Sequence, residues 1–270
     1  MRIHIAALSS QPEVFWVTEK RFNDACSRHP ELASRVVADW SWDLVGFERA
    51  LNVSDIVIGW RFGDLSSFRN LHQLKWIQLT GAGTEHLQPL SWLPRHITLT
   101  NNAGVHAAKL AEFAGTAILM LNHGFPHYIT HQRDSKWSKK FTTTIFGKTA
   151  LIIGLGNTGG NVAKWLKSKL GLNVIGVRRS GRAHRYADAV FTPDQLDTLL
   201  PQADFIIVTA PLTNETVDLL DRRRLSLLKP TAGLVNLGRA RIVDYDALAE
   251  FLEAGQIAGA ILDVFDPEPL

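Results

Sequence analysis

The residues of this chain best suited to chemistry begin with Gly154, Gly156 and Gly159, in the run Thr149-Ala150-Leu151-Ile152-Ile153-Gly154-Leu155-Gly156-Asn157-Thr158-Gly159-Gly160. An apolar stretch precedes them and a helical pattern over 161–170 follows, so the run reads as a strand, a tight turn and a helix start. In that setting Gly154 permits the turn, Gly156 lets backbone approach a pyrophosphate, and Gly159 lets the helix pack closely on the strand. The helix start offers unpaired N–H groups and a partial positive charge to an anion, and Asn157 and Thr158 in the turn before it are further candidate cofactor-binding residues. The spacing predicts a dinucleotide site. About 20 residues farther on, where a site for NAD places an acidic residue against the ribose, the chain reads Val177-Arg178-Arg179-Ser180-Gly181-Arg182. The guanidinium groups of Arg178 and Arg179 and the Ser180 hydroxyl suit a 2′-phosphate, which a carboxylate would repel. The sequence therefore favours NADP(H), with NAD(H) possible.

A second candidate is the loop Gly81-Ala82-Gly83 after the strand-like 75–79. Its small residues expose consecutive backbone N–H groups that could hold a carboxylate, although spacing alone fits a plain glycine turn equally well. Trp60 and Arg61, after the apolar run 55–59, could reach the same cleft. His123, His127 and His131 recur every fourth residue, but Pro126 lies between them and no carboxylate completes a coordination set. No metal site is expected.

The elements that must position these groups follow a β/α alternation. Strand-like runs at 3–8, 35–38, 55–59, 74–79 and 97–100 alternate with helical segments, which predicts a small parallel sheet flanked by helices. A long helical pattern over 106–133 follows, with apolar residues at Leu110, Phe113, Ala114, Ala117, Ile118 and Leu121. Beyond the glycine run the alternation resumes, with strands over 172–177, 205–210, 233–237 and 257–262 and helices over 192–200, 221–228 and 244–254.

Composition limits the function classes. The chain has 270 residues, 46% of them hydrophobic and 20% charged, with no apolar run of membrane-spanning length. Its net charge of +3 is mild, and the basic residues are scattered outside 178–185 and 222–224, so neither nucleic acid nor a membrane is an expected partner. The single cysteine, Cys26, rules out an internal disulfide or a cysteine-built metal site. The first residues lack the succession of a secretory signal, which makes a cytoplasmic location the default.

The stretch Leu234-Val235-Asn236-Leu237-Gly238-Arg239-Ala240-Arg241-Ile242-Val243-Asp244 joins these features to something more specific. Together with 154–159, Ala210-Pro211-Leu212-Thr213-Asn214-Glu215-Thr216 and Ile261-Leu262-Asp263-Val264-Phe265-Asp266-Pro267-Glu268-Pro269-Leu270, it resembles the D-isomer-specific 2-hydroxyacid dehydrogenase family. Within that family it looks most like the glyoxylate/hydroxypyruvate reductase type. The resemblance covers nearly the whole chain, and it includes Gly81-Ala82-Gly83 and Ala111-Glu112. It implies an α/β fold of two doubly wound parallel-sheet domains, a flavodoxin-like substrate domain over 1–101 and a Rossmann dinucleotide-binding domain over 102–270, with the cleft between them. It also implies a homodimer and hydride transfer between a nicotinamide and a small 2-keto or D-2-hydroxy acid, such as glyoxylate or hydroxypyruvate.

The resemblance carries roles onto matching positions. Arg239 would clamp the substrate carboxylate and carbonyl oxygen, and Glu268 would pair with a catalytic histidine. Backbone N–H groups of Ala82 and Gly83, in the loop opened by Gly81, would take the substrate carboxylate. Asp263 would contact the nicotinamide carboxamide, while Ala210, Pro211, Thr216, Leu237 and Gly238 would line the path of the cofactor. The family's histidine falls in a Pro-His loop past the glutamate, beyond Leu270, so the sequence reads as C-terminally truncated within its cofactor domain. The alternative is a protein of the same fold that binds nucleotide or a partner without turnover.

Overall fold

The structure is a computed structural model that describes residues 1–268; Pro269 and Leu270, which end the last motif quoted above, lie outside the described residues. The chain divides into two compact units, Met1–Val105 and His106–Leu270.

The first unit is built on five parallel strands: β1 (Arg2–Ala6), β2 (Val37–Ser41), β3 (Ile56–Gly59), β4 (Trp76–Leu79) and β5 (Thr98–Thr100). Their order is β2-β1-β3-β4-β5, the flavodoxin-like arrangement. Helices α1 (Glu19–Ser27), α2 (Pro30–Ala33) and α3 (Leu44–Leu51) connect the early strands. The Thr18 side chain accepts from the Arg21 N–H to cap α1, and Asp43 accepts from Gly46 to cap α3. Phe47, Phe62, Phe68, Leu74, Ile77 and Leu79 form the core on one face. One buried polar group needs explanation. His4 on β1 lies 2.8 Å from Asp39 Oδ1 through Nδ1 and 2.8 Å from Ser41 Oγ through Nε2. The connectivity is that of a hydrolytic triad, but Ser41 is buried and Asp39 faces solvent, so the trio satisfies a buried imidazole and ties β1 to the edge strand β2.

The second unit is a parallel sheet of β6 (Thr149–Ile153), β7 (Asn173–Val177), β8 (Ala189–Phe191), β9 (Phe205–Val208), β10 (Gly233–Asn236) and β11 (Gly259–Leu262). The order β11-β10-β9-β6-β7-β8 is that of a Rossmann sheet. Strands β9 and β10 are buried along their whole length, as expected of parallel strands covered on both faces. Helices α4 (Ala107–Asn122), α5 (Phe125–Arg133), α6 (Asn157–Trp165), α7 (Leu196–Leu199), α8 (Arg222–Leu225) and α9 (Tyr245–Glu253) surround it. Gly115 lets α4 lie against α6, because a Cβ there would sit 2.0 Å from the Trp165 ring. No helix among the described residues is long and apolar enough to cross a membrane.

Three expectations are corrected. The single helix over 106–133 is two helices, because Gly124 adopts φ 72° and ends the run, and Pro126 then occupies the first turn of α5, where a missing N–H costs nothing. Strand β8 was not anticipated, since its three half-buried residues are too few to show a period. The helix predicted over 192–200 is a continuous helical run over 193–202, 3-10 turns flanking α7, whereas the one over 221–228 shortens to the single turn α8.

Those two short helices are tied together by charge. Asp197 on α7 accepts from Arg223 Nη1 and from Arg224 Nε on α8, both at 2.7 Å. These bonds, Arg223 first, hold the Asp197 carboxyl down at about 2. A depressed folded-state value means the bonds stabilise the fold above the ordinary carboxylate value of 3.8 and lose that effect as pH falls toward about 2. Asp197→Asn should therefore lower the melting temperature at pH 7, and the gap from wild type should narrow between pH 4 and pH 2. Melts recorded across that window check it, and a gap independent of pH would refute the clamp.

Candidate functional site

The glycine run lies between the carboxyl end of β6 and the start of α6. Gly154 adopts φ +100°, and a Cβ there would stand 2.4 Å from Ala210 N. A Cβ on Gly159 would stand 2.2 Å from Gly154 O. Both positions therefore exclude side chains for packing reasons internal to the unit. Gly156 differs, for a Cβ there would meet nothing within 4 Å. The space over the first turn of α6 is open, and Gly156 carries no side chain to cap the helix N–H groups. This cradle of open space and unclaimed donors suits a pyrophosphate. Thr209, not singled out in the sequence, donates from Oγ1 to Gly154 O at 2.7 Å and locks the turn against the end of β9. Ala210 beside it is buried and Pro211 is exposed.

Past β7, Arg178 does not extend into solvent. Its Nε donates to Arg182 O at 2.8 Å and its Nη2 to Ala183 O at 2.9 Å, with a further Nη2 bond to Arg182 O. Arg178 thus latches the loop over 179–183 and leaves Arg179 and Ser180 exposed on it. Neighbouring His184 lies 3.0 Å from the place of a Cβ on Gly160 in α6. Burial, then the charges of Arg178 and Arg185, push this imidazole below its usual value. The 211–216 loop lies on the same side: a Thr213 hydrogen bond leads in lowering the Glu215 carboxyl, and the Arg179 charge contributes. Thr216 Oγ1 donates to Pro211 O at 2.7 Å and accepts from Thr213 N at 2.7 Å, which makes Thr216 the staple of that loop.

The Arg239 segment is organised by Asn236, a fully buried residue at the carboxyl end of β10 that sequence reasoning passed over. Its Oδ1 accepts from Gly238 N at 3.0 Å, and its Nδ2 donates to Arg239 O at 3.1 Å and to Tyr245 Oη at 3.0 Å. Tyr245 Oη passes the bond on to Val264 O at 2.9 Å, and Asp263 N donates to Asn236 O at 3.0 Å. One amide therefore holds both the turn over 237–239 and the turn over 263–264. Gly238 is required for closeness, since a Cβ there would lie 2.7 Å from Ala210 O. Leu237 is buried, and half-buried Arg239 donates from Nη1 to Gly238 O at 2.7 Å. Glu268 accepts from Phe265 N at 2.7 Å. Partial desolvation, then the Glu268 charge, hold the Asp263 carboxyl above the usual range, with Lys109 opposing. The signal for Asn236 was available in principle: a polar residue closing an otherwise apolar buried strand.

In the first unit, the Gly81-Ala82-Gly83 loop follows β4. A Cβ on Gly81 would lie 2.3 Å from the Trp60 ring, so Trp60 packs directly on the loop. Asn102 donates to Gly81 O and Thr80 O, each at 3.0 Å, and Asn101 Nδ2 donates to Ala82 O at 2.6 Å. With these carbonyls tied back, the N–H groups of Ala82 and Gly83 have no protein acceptor among the described residues. Thr80 Oγ1 is also buried with no partner among the described residues. A carboxylate would satisfy such donors. Arg61 is exposed nearby. Among the described residues no three His, Cys, Asp or Glu side chains gather as metal ligands. His127 instead tilts against His131 with ring centroids 4.0 Å apart and bonds Ser138 Oγ at 2.9 Å.

Asn236→Ala should cost about 1–3 kcal/mol of stability, because the Gly238 N–H loses its buried acceptor and two further bonds go with it. Urea unfolding of the two proteins measures this, and equal stability would contradict the role of the amide as organiser.

Comparison with known proteins agrees with this geometry. Residues 116–270 match the NAD binding domain of the D-isomer specific 2-hydroxyacid dehydrogenases. A glyoxylate reductase from Thermococcus gammatolerans is 33% identical over 213 residues, covering 75% of this chain and 63% of that protein. A glyoxylate/hydroxypyruvate reductase B from Pectobacterium carotovorum is 42% identical over 139 residues, covering 51% of this chain and 42% of its own. The matched stretches thus span less than two thirds of these relatives. A crystal structure of a D-isomer specific 2-hydroxyacid dehydrogenase family protein from Aeromonas salmonicida superposes with a TM-score of 0.78 at 27% identity, over 100% of this chain and 83% of that one. An NADPH-dependent glyoxylate/hydroxypyruvate reductase from Sinorhizobium meliloti, solved with NADP and sulfate, shares the fold with a TM-score of 0.80 at 24% identity, over 100% of this chain and 83% of that one. With more than half of its length matched to the family's cofactor domain, the chain belongs to the D-isomer-specific 2-hydroxyacid dehydrogenase family.

Proposed function

We propose that the chain is an NADP(H)-preferring oxidoreductase acting on 2-keto and D-2-hydroxy acids, with glyoxylate and hydroxypyruvate as first substrates. The observation that carries this reading is Arg239, held by the buried Asn236 amide in the unit that also carries the open glycine cradle. When bound, the nicotinamide exchanges a hydride with C2 of the acid. The N–H groups of Ala82 and Gly83 hold the carboxylate. The forked guanidinium of Arg239 stabilises the negative charge that develops on the carbonyl oxygen during reduction. Glu268 would supply the carboxylate that fixes the tautomer of the family's histidine proton donor, a residue that falls beyond Leu270, and Asp263 meets the carboxamide. The exposed Arg179 and Ser180, on a loop set by Arg178, support the choice of NADP over NAD. The names of the relatives support the acid class.

A cytoplasmic homodimer belongs to the same reading. The dimer part of that reading is supported by apolar side chains left exposed on and after α5, among them Phe125, Ile129, Trp137 and Phe141, the last 94% exposed.

The decisive assay follows NADPH and NADH oxidation with glyoxylate and hydroxypyruvate. Arg239→Ala should cut kcat/KM by about 10²-fold or more, the scale of a lost oxyanion donor. Arg179→Ala should weaken NADP+ about tenfold while leaving NAD+ nearly unchanged, as the loss of a charge-assisted phosphate contact predicts. Equal or tighter use of NADH by the wild type would end the NADP claim, and undiminished turnover by Arg239→Ala would end the assigned role.

A further inference from the structure

Helix α4 brings a cation to the end of β11, beside the carboxylate proposed to meet the nicotinamide carboxamide. Near its carboxyl end α4 passes the amino ends of two strands: a Cβ on Gly233 of β10 would lie 2.9 Å from Leu121 Cδ1, and one on Gly259 of β11 would lie 2.9 Å from Leu121 Cδ2. The helix runs from there against the direction of both strands, so its first turn reaches their carboxyl ends, where the charge of Lys109 acts on the Asp263 carboxyl. Helical side chains lean toward the amino terminus, which tips Lys109 toward the loop that leaves β11. Lys109 is exposed and makes no hydrogen bond or ion pair among the described residues, so nothing competes for its ammonium group. Asp263 needs such a neighbour. Partial desolvation and the charge of Glu268 both penalise its ionised form, and Lys109 opposes them. Asp266 adds a third carboxylate to the same loop. The other titratable groups on the elements packed here are His106 before α4, Arg239 after β10 and Tyr245 at the head of α9; Arg239 donates to Gly238 O and Tyr245 to Val264 O. The first turn of α4 has no side-chain cap, so the positive end of its dipole works in the same sense as Lys109.

We infer that Lys109 is a positioning residue of the cofactor site: from the head of α4 it holds Asp263 in the charged form that accepts the carboxamide N–H. The inference rests on the carboxamide role proposed for Asp263. A carboxylate is a stronger acceptor than a neutral carboxyl group, so losing the charge loosens the nicotinamide end of the cofactor. A nicotinamide that takes water from the carboxylate raises the cost of its charge, and the compensating cation then counts for more. Lys109 itself touches neither cofactor nor substrate in this role. It acts through Asp263.

Calorimetric titration of the full chain with NADP+ from about pH 8 down to about pH 4 tests this without turnover. Wild-type affinity should fall as Asp263 takes up its proton. Lys109→Met should move that fall to higher pH by about half a unit, the scale of an exposed ion pair, and Lys109→Arg should restore the wild-type profile. The carboxyl carbon resonance of Asp263 should titrate with the same displacement in the free protein. 2′-Phospho-ADP-ribose, which lacks the nicotinamide, should bind all three proteins with one pH profile. Thermal melts establish that the variants are folded. If Lys109→Met leaves either the NADP+ profile or the Asp263 titration unmoved, Lys109 has no such role while the proposed function stands. If it displaces the profile of 2′-phospho-ADP-ribose equally, the effect arises away from the nicotinamide and the inference is again wrong. If the wild type keeps its full affinity for NADP+ as Asp263 protonates, the carboxamide role of Asp263 is itself overturned and the inference falls with it.

Discussion

The second unit depends on backbone approaching backbone at the carboxyl ends of β6, β9 and β10. Gly154, Gly159 and Gly238 occupy the places where a Cβ would strike Ala210 or the turn itself. Protein interiors are packed too densely to absorb such contacts, so any side chain at these positions would push the loops apart. This closeness sets the mouth of the cradle, and Gly156, with open space where its side chain would be, is the position that faces outward. Glycines that look equivalent in the chain thus serve opposite needs, some closing the protein on itself and one leaving it open.

Polar side chains set the loops that the strands only launch. Arg178 directs its donors at the carbonyls of Arg182 and Ala183, which fixes the loop and presents Arg179 and Ser180. Asn236 does the same for Arg239 and Asp263, using every polar atom of its amide in a fully buried place. A buried amide with all its bonds made is rigid, because any movement leaves a desolvated group unpaired. The groups proposed for chemistry are thereby separated from the groups that hold them. The first unit applies the same division at the Gly81–Gly83 loop, where Asn101 and Asn102 claim the carbonyls while the N–H groups of Ala82 and Gly83 have no acceptor among the described residues.

The two sheets were legible in outline because parallel strands buried on both faces read as short apolar runs, and most of the expected runs coincide with observed strands. The boundaries were less legible. The pattern over 106–133 kept its helical period across Gly124, and only the left-handed conformation there divides it. Strand β8 had too little length to declare itself and is recruited by pairing along β7.

Residue types and spacing alone pointed to the glycine cradle and the basic loop after β7, because each depends on local chemistry, small residues at a turn and the absence of a carboxylate, whereas Arg239 was singled out by the resemblance to the family. Only the tertiary structure decided how those residues are used. It bent Arg178 back onto its own loop, made Asn236 the support of Arg239, locked Gly154 with Thr209, and packed the Trp60 ring against Gly81 and Phe15. Each of these joins side chains to backbone or rings that the fold supplies, Phe15 and Trp60 from loops far apart in the chain, and a hydrogen bond or ring contact has no periodicity along the sequence by which it could be read.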